Sequence, residues 1–148
     1  MKVHRLEMQL ELPEPLDVVF PFFADPRNLE KITPPWLNFK IATRGPIRMA
    51  VGKTIDYKLR LHGIPLSWKS EITAWEPPYR FIDEQRRGPY RQWVHEHLFE
   101  ASEKGTLIHD RIDYAVPGGE LVHKFIVLPD LRRVFGYRHD VLREEFGS

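Results

Sequence analysis

Residues 80–116 read RFIDEQRRGPYRQWVHEHLFEASEKGTLIHDRIDYAV. Turn signals at Gly88-Pro89 and Lys104-Gly105 cut this stretch into three runs of period two, RFIDEQR, RQWVHEHLFEA and TLIHDRIDYAV, the pattern of antiparallel strands joined by short turns. Folding the first turn back with like faces matched sets Gln85 opposite Trp93, Asp83 opposite His95 and Phe81 opposite His97. The second turn, at SEKG, sets Trp93 opposite Tyr114, His95 opposite Ile112, His97 opposite Asp110 and Phe99 opposite Ile108. The two registers agree with each other. One face then carries Phe81, Trp93, Phe99, Ile108, Ile112 and Tyr114 beside five polar residues: Asp83, Gln85, His95, His97 and Asp110. The other carries Glu84, Arg86, Arg91, Gln92, Glu96, Glu100, His109, Arg111 and Asp113, and belongs in water. Val94 and Leu98 also fall on that outer face.

Working outward, TIDYKLRLH and LSWKSEITAW extend the meander through turns at Gly63 and Pro77-Pro78, and NFKIATR reads as a further strand before them. Near the start, VHRLEMQLEL alternates, with His4, Leu6, Met8, Leu10 and Leu12 on one face. Between these strands, Leu16, Val19, Phe20 and Phe23 follow helical spacing behind Pro15, with Pro21 expected to kink or shorten the helix. Asp25-Pro26 reads as the cap and first turn of a second short helix, which Thr33-Pro34-Pro35 ends. After Pro117-Gly118-Gly119 a stripe of Leu121, Phe125, Leu128, Leu131, Phe135, Leu142 and Phe146 predicts a long terminal helix. Either it kinks at Pro129 or a new helix starts there. The expected fold is α+β: a curved antiparallel sheet wrapped around the long C-terminal helix, with two short helices after the first strand. Residues 1–148 are expected to form a single domain of ordinary size.

Charged residues are 29% of the 148 and the net charge is +1, too balanced for a nucleic-acid partner. No cysteine is present, which removes disulfides and thiol chemistry and fits a cytoplasmic location. MKVHRLEMQLELP has no long apolar run, so neither a signal peptide nor a membrane span is expected. The sequence lacks HExxH, GxSxG, a Walker loop and GxGxxG.

LPEPLDVVFPFFADPRNLEKITPP after the first strand, with this element order, resembles the SRPBCC superfamily, the START-like or helix-grip fold. DEQRRGPYRQWVHEHLFE and GTLIHDRIDYAVPGG resemble one bacterial branch of it, the ligand-binding or cyclase/dehydrase-like proteins. The resemblance implies a ligand cavity between the sheet and the long helix. The iron motif of the superfamily's oxygenases is not recognisable, so no iron is implied.

Five polar groups on an inner face cannot stay unpaired, since each costs about 1–3 kcal/mol against a typical stability of about 5–15 kcal/mol. A hydrated cavity that takes a ligand resolves the conflict. The expected binding residues are Phe81, Asp83, Gln85, Trp93, His95, His97, Phe99, Asp110, Ile112 and Tyr114. The expected partner is a small, largely hydrophobic molecule, lipid-, isoprenoid- or polyketide-like; the sequence leaves the oligomeric state open. Two other readings stand beside binding: a cyclase/dehydrase-like acid–base enzyme with His95 and Asp83 as candidate catalytic residues, and a protein-interaction module. HxH with Asp83 or Asp110 offers mixed nitrogen and oxygen ligands, but that signal is weak, and no metal or cofactor is expected. Asp83–His95 and His97–Asp110 read equally well as structural cross-strand pairs.

Overall fold

The computed structural model describes residues 2–147. Seven antiparallel strands form one curved sheet in the order β1-β7-β6-β5-β4-β3-β2. These are β1 (His4–Leu12), β2 (Lys40–Ile41), β3 (Thr54–Leu61), β4 (Ile64–Glu76), β5 (Arg80–Arg87), β6 (Gln92–Ser102) and β7 (Gly105–Ala115). Short helices α1 (Leu16–Ala24) and α2 (Leu29–Ile32) follow β1, with a 3₁₀ turn between them, Pro26–Asn28, capped by Asp25 accepting from the Arg27 N–H at 3.0 Å. Pro21 is accommodated inside the nine-residue α1. The NFKIATR segment contributes only the two-residue β2: beside it Glu30 takes the Ile41 N–H and Thr43 takes the Asp56 N–H, so side chains replace ladder partners.

The central registers follow the alternation read from the sequence. Phe81↔His97 and Asp83↔His95 pair between β5 and β6; Trp93↔Tyr114, His95↔Ile112, His97↔Asp110 and Phe99↔Ile108 pair between β6 and β7. The expected Gln85–Trp93 match is absent, because the β5–β6 ladder ends at Glu84↔Val94. The Gln85 amide is occupied in the turn, donating to the Tyr90 carbonyl at 2.7 Å and accepting the Tyr90 N–H at 3.0 Å. Register shifts between β4 and β5 at Lys69/Ser70 and Ile72/Ala74 insert extra residues, and such bulges raise local twist and bend the sheet. On the outer face a chain of ion pairs joins Arg5 to Asp113, Glu7 to Arg111, Arg111 to Glu96 and Glu96 to Arg80. Val94 and Leu98 lie half-buried among these charges.

The terminal helix is continuous from Gly119 to Phe146 and resolves the Pro129 question without a break. It is α-helical at α3 (Gly119–Val122), π-helical over His123–Val127, and α-helical again at α4 (Leu128–Phe146). The Leu128 N–H bonds the His123 carbonyl, five residues back. This wide turn sits where the Pro129 ring would otherwise crowd the preceding carbonyls. The extra residue also changes the helix phase, and the expected stripe fails ahead of it. Leu121 and Phe125 are 72% and 65% exposed, while His123 is buried in their place. Beyond the π-turn, Leu131, Phe135 and Leu142 face the sheet as the spacing requires.

Two glycines test this description with opposite signs. Gly105 starts β7 at φ +152°, where an added Cβ would meet the backbone of Leu12 and Glu14. Gly105→Ala is expected to lower stability by about 2–4 kcal/mol in urea denaturation. Gly136 lies on the exposed face of α4 with open space around it, and Gly136→Ala is expected to add about 0.5–1 kcal/mol.

Candidate functional site

The apolar core falls into two clusters. One gathers Leu12, Phe20, Phe23, Phe81, Phe99 and Leu142 around the short helices. The other gathers Trp93, Ile112, Tyr114, Leu131 and Phe135. Three elements cross between them on polar residues: β6 from Trp93 through His95 and His97 to Phe99, β7 from Ile112 through Asp110 to Ile108, and α4 from Phe135 through Arg138 to Leu142, while β1 passes directly from Met8 to Leu10. Asp83, two residues after Phe81, adds β5 to the same level. A polar layer therefore divides the interior.

A cavity of about 210 Å³ lies between sheet and helix against this layer. Phe81, Asp83, Trp93, His95 and His97 line it. The other sequence-expected residues do not. Gln85 closes the β5–β6 turn, Asp110 stands behind His95, and Phe99, Ile112 and Tyr114 are packed within the clusters. Tyr114 also meets the His123 ring, with Oη to Nε2 at 2.7 Å. Trp36, in the turn after Pro34, packs against Tyr137 and under the Arg133 guanidinium, outside the cavity wall.

The histidines and carboxylates pair diagonally. His97 Nε2 meets Asp83 Oδ2 at 2.6 Å, and His95 Nε2 meets Asp110 Oδ1 at 2.7 Å. Asp83–His95 and His97–Asp110 are therefore opposite in register but are not the hydrogen-bonded pairs, although His97 Nδ1 stands 3.6 Å from Asp110 Oδ1. Sheet twist brings the residue two positions along the neighbouring strand into reach instead. The residue directly opposite His97 on β5, Phe81, stacks on its ring at 4.0 Å, and His95 stacks on the other side at 3.7 Å.

Burial, helped by the adjacent His95, pushes the His97 imidazole down to about 4. Burial alone would raise the Asp83 carboxyl, but the hydrogen bond from His97 and nearby positive charge outweigh it and hold it below its ordinary value. Asp110 is likewise drawn down against its burial, chiefly by the hydrogen bond from His95. At neutral pH, neutral His97 donates its Nε2–H to an ionised Asp83. Asp83 retains 21% side-chain accessibility and lines the cavity.

The sequence reading missed Arg138. It occupies the i+7 position after Leu131 on the inward stripe of α4, is only 8% exposed, and lines the cavity. Its signal was available: an arginine where the helical period demands an apolar residue. Tyr57, Trp68 and Ser70 were also missed; they enter from β3 and β4, whose inner faces were not paired residue by residue. The Trp68 indole N–H donates to Ser70 Oγ at 3.0 Å.

Among the described residues two groups could offer metal ligands within 4.8 Å of one another: Asp83, His95 and His97, and separately His4, Glu120 and His123. In both the imidazoles lie face to face, at 3.7 Å and 23° and at 3.5 Å and 11°, so their lone pairs run side by side and one ring must turn before both can bind one ion.

A curved sheet gripping a long helix around an apolar hollow defines a helix-grip protein of the SRPBCC superfamily. The sequence profile of the polyketide cyclase / dehydrase and lipid transport family matches residues 12–138, and the chain belongs to that family. The fold is similar to protein CV1439 from Chromobacterium violaceum (TM-score 0.76, 12% identity, 97% of this chain and 98% of that one). It is also similar to ginseng major latex-like protein 151 from Panax ginseng (TM-score 0.71, 17% identity, 97% of each chain) and to Ms6760 from Mycobacterium smegmatis (TM-score 0.68, 18% identity, 96% and 94%). No curated protein sequence gives a significant match.

The pairing carries a pH signature. Between pH 6.5 and about 4 the unfolded chain protonates His97 while the folded chain does not, so stability falls as pH drops through that window. His97→Gln keeps an N–H for Asp83 but cannot titrate. It is expected to reduce the loss between pH 7 and pH 4.5 by on the order of 1–3 kcal/mol, read from urea midpoints; identical slopes in both proteins would refute the assignment.

Proposed function

We propose that the protein binds a small, largely hydrophobic organic molecule, lipid-, isoprenoid- or polyketide-like, in the cavity between the sheet and the terminal helix. The observation that carries this reading is an apolar hollow ending on a polar layer, the ordinary make-up of a small-molecule site. Phe81 and Trp93 would flank the ligand's body. Asp83, His95 and His97 would meet its polar end. Gln85, Phe99, Asp110, Ile112 and Tyr114 would act from behind, by fixing the turn, the His95 ring and the walls. No helix among the described residues is long and apolar enough to cross a membrane.

Acid–base catalysis, expected of His95 and Asp83, is the second reading; His95 is bonded to Asp110 instead, and the observation that favours catalysis is that the pair Asp83 does make, with His97, borders the cavity. A base drawn down to about 4 is a weak one at neutral pH, which ranks catalysis below binding. The interaction-module reading would use the exposed Leu121, Phe125 and Ile126, and nothing in the structure identifies what covers them.

Two experiments separate these readings. Val134 lines the cavity from α4, and Val134→Trp should fill part of it. That variant is expected to weaken the neutral fluorophore N-phenyl-1-naphthylamine about ten-fold or more while remaining folded; undiminished probe affinity would rule the cavity out as the binding site. For catalysis, deuterium exchange into the methyl group of 2-acetylnaphthalene would be followed by NMR. Acceleration by the protein, abolished in His97→Gln, would establish proton abstraction. The binding reading expects exchange at the rate of buffer alone.

A further inference from the structure

Arg138 is the one charged side chain of the polar layer without a hydrogen-bond partner among the described residues; the fully sealed atoms left without one are Ser102 Oγ and His139 Nε2, whereas the Arg138 nitrogens keep access to open space. Its side chain is buried to 8% exposure and borders the cavity. The rings of Phe23 and Phe135 flank the guanidinium at 5.8 and 5.5 Å. Among the described residues no acceptor bonds it, and no carboxylate oxygen lies within 4.0 Å of its nitrogens. An arginine carries five N–H donors and no acceptor, and unpartnered donors in an enclosed site require water or a ligand oxygen.

The charge, unlike the donors, is already compensated. Asp83 and Arg138 line the same cavity, and both Asp83 and Asp110 are drawn down in part by the Arg138 charge. His97 is held neutral beside them. A ligand carboxylate placed on Arg138 would also face the ionised Asp83 carboxylate, which lines the same cavity. A neutral oxygen acceptor would satisfy the donors without adding charge.

We propose that the cavity selects neutral ligands whose apolar body ends in a carbonyl-type oxygen accepting from Arg138, and that it discriminates against carboxylates of the same skeleton. This rests on the binding function proposed above and names the ligand class for that site. Arg138 becomes its specificity-determining residue. The cavity-facing carboxylate of Asp83 can in addition accept a hydroxyl adjacent to that oxygen.

Three naphthalenes of matched shape test it: 2-acetylnaphthalene with a neutral carbonyl, 2-ethylnaphthalene with no oxygen, and 2-naphthoate with a carboxylate. Affinities at pH 7.5 are read by displacement of the neutral fluorophore N-phenyl-1-naphthylamine from the wild-type protein, Arg138→Met and Arg138→Lys. In wild type the ketone is expected to bind about five-fold or more tighter than the hydrocarbon, and the carboxylate weaker than the ketone by a similar factor. Arg138→Met should bring ketone and hydrocarbon within about two-fold of each other, whatever the change in their common affinity. Arg138→Lys should keep part of the preference. If the methionine variant does not fold, the wild-type ranking and the lysine variant decide. Equal binding of ketone and hydrocarbon, a carboxylate as tight as the ketone, or a preference surviving in Arg138→Met would overturn the proposal while leaving a binding cavity in place. Failure of all three compounds, the hydrocarbon included, would instead bring down the cavity reading and this inference with it.

Discussion

The structure turns on the polar layer at Asp83, His95, His97, Asp110 and Arg138, which interrupts what would otherwise be one continuous apolar core. Its members come from β5, β6, β7 and α4, so the layer cannot form until the sheet has curled and the helix has docked. Diagonal pairing makes it tolerable. Each histidine gives an N–H to a carboxylate on a neighbouring strand, and an ionised carboxylate accepting such bonds is far cheaper to enclose than an unpaired one. Arg138 supplies compensating charge from the opposite wall.

The hollow follows from the same layer. Charged and imidazole groups at the centre cannot interdigitate as Leu and Phe do, so the helix does not close fully onto the sheet at that level. The bulges in the β4–β5 pairing bend the far strands around the space, and Tyr57, Trp68 and Ser70 enter from that side. The outer face, by contrast, is a lattice of ion pairs exposed to water. Such pairs contribute little each, but they keep the alternation unambiguous, because a one-residue slip would bury that lattice and expose both core clusters.

That alternation explains how much was legible in the sequence. Turn residues at Gly88-Pro89 and Lys104-Gly105 fix where the chain reverses, and with a period of two a turn position sets every pair beyond it; hence Trp93–Tyr114 and His97–Asp110 could be read directly. Bonding partners were less legible, because twist selects the diagonal neighbour and no one-dimensional pattern carries twist. Gln85 fell off the ladder because its amide mimics backbone in the turn. On the helix, a search for apolar letters passed over Arg138, the most informative position of the stripe. The π-turn was invisible for another reason: Leu121 and Phe125 fit a regular period, and only the crowding at Pro129, resolved by one extra residue per turn, moves them to the surface. No pattern showed the cavity itself, since a void is a property of how side chains fail to meet.

The energetics of the layer bear on why it is there. Replacing its members by Leu or Phe of suitable shape would merge the two clusters, and each fully buried apolar side chain contributes roughly 1.5–3 kcal/mol relative to exposure. Buried ion pairs seldom match that, because the desolvation of both partners offsets most of their attraction. The layer therefore costs stability compared with the apolar alternative the fold could house. It also confers little register specificity, since the turns and the inside–outside alternation already fix the strands. Where local rules are broken at a stability cost without structural need, function is the physical reason that remains. The breach lies where four elements converge on one hollow, and its least satisfied member, Arg138, points into that space.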